Sequence, residues 1–455
     1  MSLPQDIRRT DAPDRFEQRD AKWGPDELDV FVRSYLDRRE PFLDIVRRYG
    51  SPLYVIEEQT VLARAMAFTE SFRAELPDMQ VFYAMKANAH PLVTTAVVKA
   101  GLGLDVSSGI ELCLALDAGS QAMVFSGPAK TDDELTLAIR NRNRVMVLLD
   151  SLGELDRLEL LAGREKVVIR AGVRLTTDEC GLWRKFGIPL SDLAGFMEHA
   201  RGAQYVDLRG LQFHTSWNLD PSAHVAFIVR LGAALRLLPL KMRERIEFVD
   251  IGGGFWPPPG QWSLEPPPAA PQPNPMATVV GITPAVLGCR PARTFRPSAS
   301  IGEFARRIGG TIKTDVFPHV RCRIYAEPGR WICNDAMHLL LTVLDRKGKD
   351  IAITDGGTNA VGWERFENEY FPVINLSRPE LIERPFHVLG SLCTPHDVWG
   401  YSYYGSDIQT GDVLLIPAQG AYTYSLRQHF IKPLPRTVLI RAGGSTVEWE
   451  VLHED

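Results

Sequence analysis

"QVFYAMKANAHPLVTTAVVKAGLGLDVSSGIELCLALDAG", Gln80 to Gly119, reads as strand, helix, strand, helix. Val81, Phe82, Tyr83 and Met85 form an apolar run suited to a short buried strand, and a His-Pro turn opens the helical run that follows. "LGLDVSS" and "GIELCLALDAG" repeat the unit. Polar residues stand where each strand gives way: Lys86 after the first, Asp105 with Ser107 and Ser108 after the second. An ammonium at the end of an apolar strand loses hydration, which is expected to lower its pKa. That suits an amine that must be neutral and nucleophilic. The plain alternative is a lysine that snorkels to the surface.

The alternation extends from about residue 50 to 330. "PLYVI" (52–56) precedes it; "MVFSGP", "RVMVLLD", "KVVIRAGVRL", "LRGLQFHTS", "IEFVDIGGG" and "RCRIYAEPG" follow, most with a helical run behind them. The fold class is α/β, and the pattern predicts a (β/α)8 barrel over 51–330. An open doubly wound sheet is the alternative, but no GxGxxG follows an early strand. "PPPGQWSLEPPPAAPQPNP" (257–275) cannot hold a long helix or a central strand. It marks a proline-rich surface insertion over about 255–298, partly polyproline II. Beyond Arg330 the runs shorten and carry Gly, Asp and Asn turns, which predicts an antiparallel β-rich domain over 331–455. Residues 1–50 are an N-terminal extension, part of which is expected to join that domain.

With 45% hydrophobic and 24% charged residues, the composition is that of an ordinary globular chain. The net charge is −5, with no basic block, so no nucleic-acid partner is expected. No apolar run is long enough for a bilayer, and the first thirty residues lack a secretory apolar stretch. A cytoplasmic location is the expectation. Six cysteines, at 113, 180, 289, 322, 333 and 393, are scattered without a CxxC pair. They read as free thiols rather than a disulfide framework or a metal site.

In such a barrel, functional groups collect where strands end. Lys86, Asp105, His214 in "FHTSW", "GGG" (252–254) and "EPGR" (327–330) lie at those points, with Arg170 in the sixth run. Three glycines let backbone amides approach an anion, although tight turns also use them. Glu327 and Arg330 could form an ordinary surface ion pair across a Pro-Gly turn. A lone histidine is more often packed than catalytic.

"YAMKAN", "DVSSGIEL", "KFGI", "FH", "GGG", "EPGR", "GSLCTPHD" and "GAYTYS" occur in that order. As an ordered set they resemble the fold-type III pyridoxal-phosphate decarboxylases, the family of diaminopimelate, ornithine and biosynthetic arginine decarboxylases. The resemblance runs from about residue 50 to the C-terminus. It implies a barrel plus β-domain like that of alanine racemase, working as a homodimer with shared active sites. It implies that Lys86 holds pyridoxal 5'-phosphate and that Glu327 pairs with the pyridinium nitrogen. His214 would stack on the ring. Gly253, Gly254, Gly329, Arg330 and Tyr422 would bind the phosphate, and Asp105 and Arg170 would support the pocket. Cys393 of the partner subunit would return a proton to carbon.

Two departures stand out. The family has Gly-Ser one residue beyond the histidine; here Ser216 falls one place early and Trp217 takes the serine position. Ornithine- and diaminopimelate-type members carry an acid directly after the cysteine, and here it is Thr394. A neutral threonine cannot pair with a distal ammonium, a loss of about 1.5–3 kcal/mol. A diaminopimelate-like or modified amino acid is therefore expected rather than plain ornithine or lysine. Arg365, in "WERFENEY", could read a distal carboxylate; Glu364, Glu367 or Asp397 could restore the missing charge. Three alternatives remain: a racemase on the same fold, a non-catalytic pyridoxal-phosphate-binding homologue, and a metal-dependent barrel hydrolase. Glu327 and Cys393 weigh against the first. The presence of Lys86, Glu327 and Cys393 together weighs against the second. The lack of a His/Asp cluster at the strand ends weighs against the third.

Overall fold

The computed structural model describes residues 25–264, 293–362 and 369–449. The chain begins with helices α1 (Pro25–Leu36) and α2 (Arg39–Tyr49) and then enters strand β1 (Leu53–Glu57). Helix α3 (Glu58–Glu75) leads to β2 (Gln80–Ala84). The next strands are β3 (Gly103–Val106), β4 (Met123–Phe125), β5 (Val145–Leu149), β6 (Ile169–Leu175), β7 (Val206–Phe213) and β8 (Phe248–Asp250). A side hairpin, β9 (Gly260–Leu264) with β10 (Arg293–Pro297), interrupts the series before β11 (Arg323–Ala326). Strands β2 to β8 run parallel in sequence order, and β11 pairs with both β8 and β2 to close an eight-stranded barrel. Most of the proline-rich insertion lies outside the described residues.

Side-chain caps start the barrel helices directly behind the strands. The hydroxyls of Ser108, Ser151 and Ser300 accept the N–H of Glu111, Glu154 and Glu303, and Thr131 forms a capping box with Glu134. Inside the barrel, Phe82, Val124, Leu148, Phe248 and Tyr325 fill the floor. Phe248 fits because Gly210 faces it: a Cβ there would lie 2.1 Å from the ring.

"PLYVI" corrects the expected domain boundary. Its strand β1 is buried from Leu53 to Ile56, like a barrel strand, but it lies in the other sheet. That sheet also contains β12 (Met337–Lys347), β13 (Ile351–Thr354), β14 (Ile374–Asn375), β15 (Glu383–Leu389), β16 (Val398–Tyr404), β17 (Val413–Ile416), β18 (Arg436–Ile440) and β19 (Thr446–Trp449). The order is β13-β15-β16-β14-β17-β12-β1-β18-β19, and β13 also pairs with β12. Strand β1 sits between β12 and β18, antiparallel to the first and parallel to the second. Val32 and Tyr35 of α1 and Phe42 and Ile45 of α2 pack on Leu53, Val55, Leu340 and Leu415. The N-terminal extension thus joins the β-domain through this shared core.

Among the described residues no helix is long and apolar enough to cross a membrane.

Candidate active site

Lys86 occupies a single helical turn, Met85–Ala87, immediately beyond β2. Backbone and side-chain bonds hold that turn against the β-domain. The Ala87 carbonyl accepts the Tyr422 N–H at 2.8 Å, and the Asn88 amide donates to the Gly420 carbonyl at 2.9 Å. Tyr422 sits at φ 57°, a conformation that costs a non-glycine residue energy and here directs its N–H at Ala87. Gly420 is required by the same seam, since a Cβ there would lie 1.6 Å from the Cys333 carbonyl oxygen.

The Lys86 ammonium donates to Asp105 Oδ2 at 2.9 Å. Asp105, at the end of β3, is fully buried and also accepts the Ser126 hydroxyl. Burial alone would lower the Lys86 pKa, as the sequence suggested. The charges of Asp105 and then Glu327 outweigh it, and the amine is held above its ordinary value. The expectation of a lowered amine pKa is corrected: the Asp105 carboxylate, bonded to the amine, holds it as a cation.

His214 follows β7. Its Nδ1 accepts the Gly253 N–H at 3.1 Å, and its Nε2 lies 3.4 Å from the Ser216 hydroxyl. Burial first, then the charges of Lys86 and Arg174, push its pKa well below the usual imidazole value. The ring is therefore neutral and suited to packing. Glu327 ends β11 and is 1% exposed. The Gln212 amide points at it from 3.3 Å, and His214 Nδ1 stands 3.7 Å away. Asp250, at the end of β8, accepts the Gly252 N–H at 2.8 Å. Burial and the charge of Glu327 raise the Asp250 pKa well above its ordinary value.

The glycine turn is packed against these groups. A Cβ on Gly253 would lie 2.4 Å from the Glu327 carbonyl, and one on Gly254, at φ +88°, would lie 2.1 Å from the Thr215 carbonyl. Gly329 packs on Ala84 and Ala87. Arg330 opens the short helix α12 (Arg330–Cys333). Its guanidinium lies 4.4 Å from the Trp256 ring and 5.1 Å from the Tyr422 ring. Its carboxylate neighbour, Glu369, is 3.7 Å away, outside hydrogen-bonding range. Trp217 turns outward at φ 60° and is half exposed beside Trp256. Ser216, in contrast, serves the imidazole.

Two of the expected positions are corrected. Arg170 lies at the opposite end of β6 from the lysine, exposed and paired with Glu247. Arg174, at the other end of the same strand, takes the place expected of it. It is buried, packs 4.5 Å over the Phe186 ring of "KFGI", and acts on the His214 charge. Asp397 is buried and bound to the backbone: its oxygens accept the N–H groups of Thr358 and Leu392 at 2.7 and 2.6 Å. It shapes the loop that carries Cys393 and Thr394. Cys393 is exposed on this chain, and Thr394 is partly buried. Arg365, Glu364 and Glu367 lie outside the described residues.

Sequence reasoning passed over Arg174, Gln212, Asp250, Ser126 and Glu111. All but Glu111, on the helix behind β3, lie at or just past the end of an apolar strand. A buried polar residue in such a run was the available signal. Among the described residues no group of His, Cys, Asp or Glu is arranged to hold a metal ion.

The site suits pyridoxal phosphate on structural grounds: a strand-end amine, a buried glutamate flanked by a second buried acid, a neutral imidazole, and an arginine whose nearest carboxylate leaves its donors open. The comparisons agree. Residues 62–261 match the pyridoxal-binding domain of the pyridoxal-dependent decarboxylases. Diaminopimelate decarboxylase of Aquifex aeolicus is 25% identical over 418 residues, 88% of this chain and 89% of that protein. L-glutamyl-[BtrI acyl-carrier protein] decarboxylase of Niallia circulans is 25% identical over 432 residues, 88% of this chain and 91% of that one. The diaminopimelate decarboxylase of M. jannaschii, solved with L-lysine, superposes with a TM-score of 0.74 at 23% identity, covering 90% and 91% of the two chains.

Proposed function

We propose that this chain, a pyridoxal-phosphate-dependent decarboxylase of fold type III, acts on an amino acid whose side chain continues through an acyl, amide or carboxylate group. The observation that carries the substrate reading is the segment after Cys393. Thr394 is neutral, and Asp397, the nearby acid, has both oxygens engaged by backbone N–H groups. A substrate ammonium placed there would lose its water without gaining an anion. The Niallia circulans relative, an L-glutamyl-[BtrI acyl-carrier protein] decarboxylase by name, supports an acyl-extended amino acid.

When bound, pyridoxal phosphate supplies an electron-withdrawing ring that accepts the electrons left when carbon dioxide departs. Lys86 would hold the cofactor, with Asp105 fixing the amine. Glu327 would hold a proton at the ring nitrogen, kept in place by Gln212 and Asp250. His214 would lie against the ring and exclude water from it. The N–H groups at Gly254 and Gly329, the Tyr422 hydroxyl and the Arg330 guanidinium would take the phosphate, while the Gly253 N–H and the Ser216 hydroxyl stay with His214. Arg174 would support the His214 side of the pocket. In a homodimer, Cys393 of the partner subunit would give a proton to the carbon that lost its carboxylate; a thiol of ordinary pKa near 8.5 is mostly protonated at neutral pH. Thr394, with Arg365, would face the distal end of the substrate.

Carbon dioxide release decides the reading. It should be compared across ornithine, lysine, arginine, meso-diaminopimelate and their acylated or carboxylated analogues. An extended analogue is expected to give the highest kcat/KM. If ornithine or lysine does, the reading is wrong.

A further inference from the structure

A cavity of 390 Å³ lies beside the site but outside the Lys86 pocket itself. One wall is α1, through Phe31, Ser34 and Tyr35; another is the stretch 256–262. Its inner wall is Arg330. A much smaller cavity, bounded by Trp217, Arg330 and Tyr422, shares Arg330, Glu369 and Phe371 with it. Arg330 thus faces the lysine side through Tyr422 and the larger cavity on its other side. None of the roles given above to the strand-end residues uses this larger volume.

Its chemistry is distinctive. Rings from Phe31, Tyr35, Trp256, Trp262 and Tyr370 line it, so it can hold apolar or amide surface. Three arginines also reach it, and each is spoken for. Arg38 pairs with Glu57, Arg64 pairs with Asp335 through two nitrogens, and Arg330, 3.7 Å from Glu369, is the residue given above to the phosphate. The charges are matched within the protein, so a ligand that brought a further full charge would have to displace a partner. Gln261 and Asn334 leave amide groups on the lining for neutral hydrogen bonding.

We infer that this cavity takes the part of the substrate that continues past the group facing Thr394, and that this part is an uncharged, amide- or acyl-linked extension. The inference rests on the substrate reading above and narrows it: neutral extensions are favoured over acidic ones.

The test uses the pyridoxal-phosphate-loaded full chain with two probe series. One is Nε-acyl-lysines from acetyl to benzoyl, with Nε-succinyl-lysine as the acidic member. The other is γ-glutamyl alkylamides of increasing length. Carbon dioxide release and perturbation of the bound cofactor's absorbance are read together. Ser34→Trp and Gln261→Trp narrow the cavity from its rim without touching the strand-end residues. Wild-type protein is expected to gain tenfold or more in kcat/KM from free lysine to the longer neutral probes, with less gain for the succinyl probe. The two variants should lose that gain while keeping wild-type rates on free lysine and an unchanged melting temperature. If the variants handle long and short probes as wild type does, the cavity assignment is overturned and the substrate reading stands. If the acidic probe is best, the neutral assignment is overturned. If free lysine or ornithine is best, the substrate reading fails and takes this inference with it. If no probe perturbs the cofactor absorbance, the cavity assignment is likewise overturned.

Discussion

The Lys86 ammonium meets the Asp105 carboxylate at 2.9 Å across the adjacent strand ends of β2 and β3, and the carboxylate is sealed from solvent. Burial pulls the amine pKa down while Asp105 and Glu327 pull it up. Asp105→Asn removes the largest upward influence, so the pH midpoint for covalent capture of pyridoxal phosphate by the apoprotein should fall. Decarboxylation should drop by about tenfold or more, since a charge-assisted bond worth about 1.5–3 kcal/mol is lost. Stopped-flow absorbance across pH measures the first effect. A midpoint that stays fixed or rises would show that Asp105 does not govern the amine.

Lys86 itself should carry the cofactor. Borohydride reduction followed by peptide mapping is expected to place the label on Lys86 within "YAMKAN". A label on any other lysine would overturn the assignment.

Arg170 and Arg174 should separate cleanly. Arg170→Ala removes an exposed ion pair, worth about 0–1 kcal/mol, and should leave kcat/KM within about twofold. Arg174→Ala exposes the Phe186 face and frees His214 from a nearby cation, so it should lower kcat/KM by about tenfold or more. Equal effects at the two positions would contradict the placement of β6.

Glu111 gives a pH signature in stability. Burial raises its pKa from 4.5 to about 7, although its carboxylate accepts the Ser107 N–H. With the folded pKa above the unfolded one, its contribution is full below 4.5 and is lost as pH rises through about 7. Glu111→Gln removes that titration. The variant's stability should gain on wild type steadily across this window and hold the gain above it, by about 1–3 kcal/mol, read as a growing difference in melting temperature. Melting curves that stay parallel from pH 4.5 to pH 8 would refute the shift.

Composite sites predict complementation. Mixed subunits of Lys86→Ala and Cys393→Ala should recover part of the activity, because some heterodimers rebuild one intact site. No recovery, with subunit exchange shown by mass, would rule out a partner thiol.

Much of this architecture is legible in single residues. Strand ends at Lys86, Asp105, His214 and Glu327 carry polar groups that an apolar run has no structural reason to keep. What escapes reading depends on partners distant in the chain. Strand β1 has the doubly buried look of a barrel strand, and only its pairing with Leu340 and Val438 reveals its true sheet. Arg170 and Arg174 lie on one strand four residues apart, and only the direction of the barrel distinguishes its foot from its mouth. Asp397 reads as a possible ligand group until the backbone around it is seen to consume both oxygens. The Lys86 pKa turns on Asp105 and Glu327, which no local window contains.

The threading of β1 has a consequence for how the chain is made. Leu53 emerges from the ribosome long before Leu340 and Arg436, its partners on either side. The barrel strands from Gln80 to Ala326 can zip together in the interim, each beside the one just synthesised. Strand β1 must wait, apolar and without strand partners, until residues 337–347 and then 436–440 have been translated. Slow translation or early release of the nascent chain should therefore leave a closed barrel with a sticky leader, and chaperone dependence should concentrate at residues 53–57.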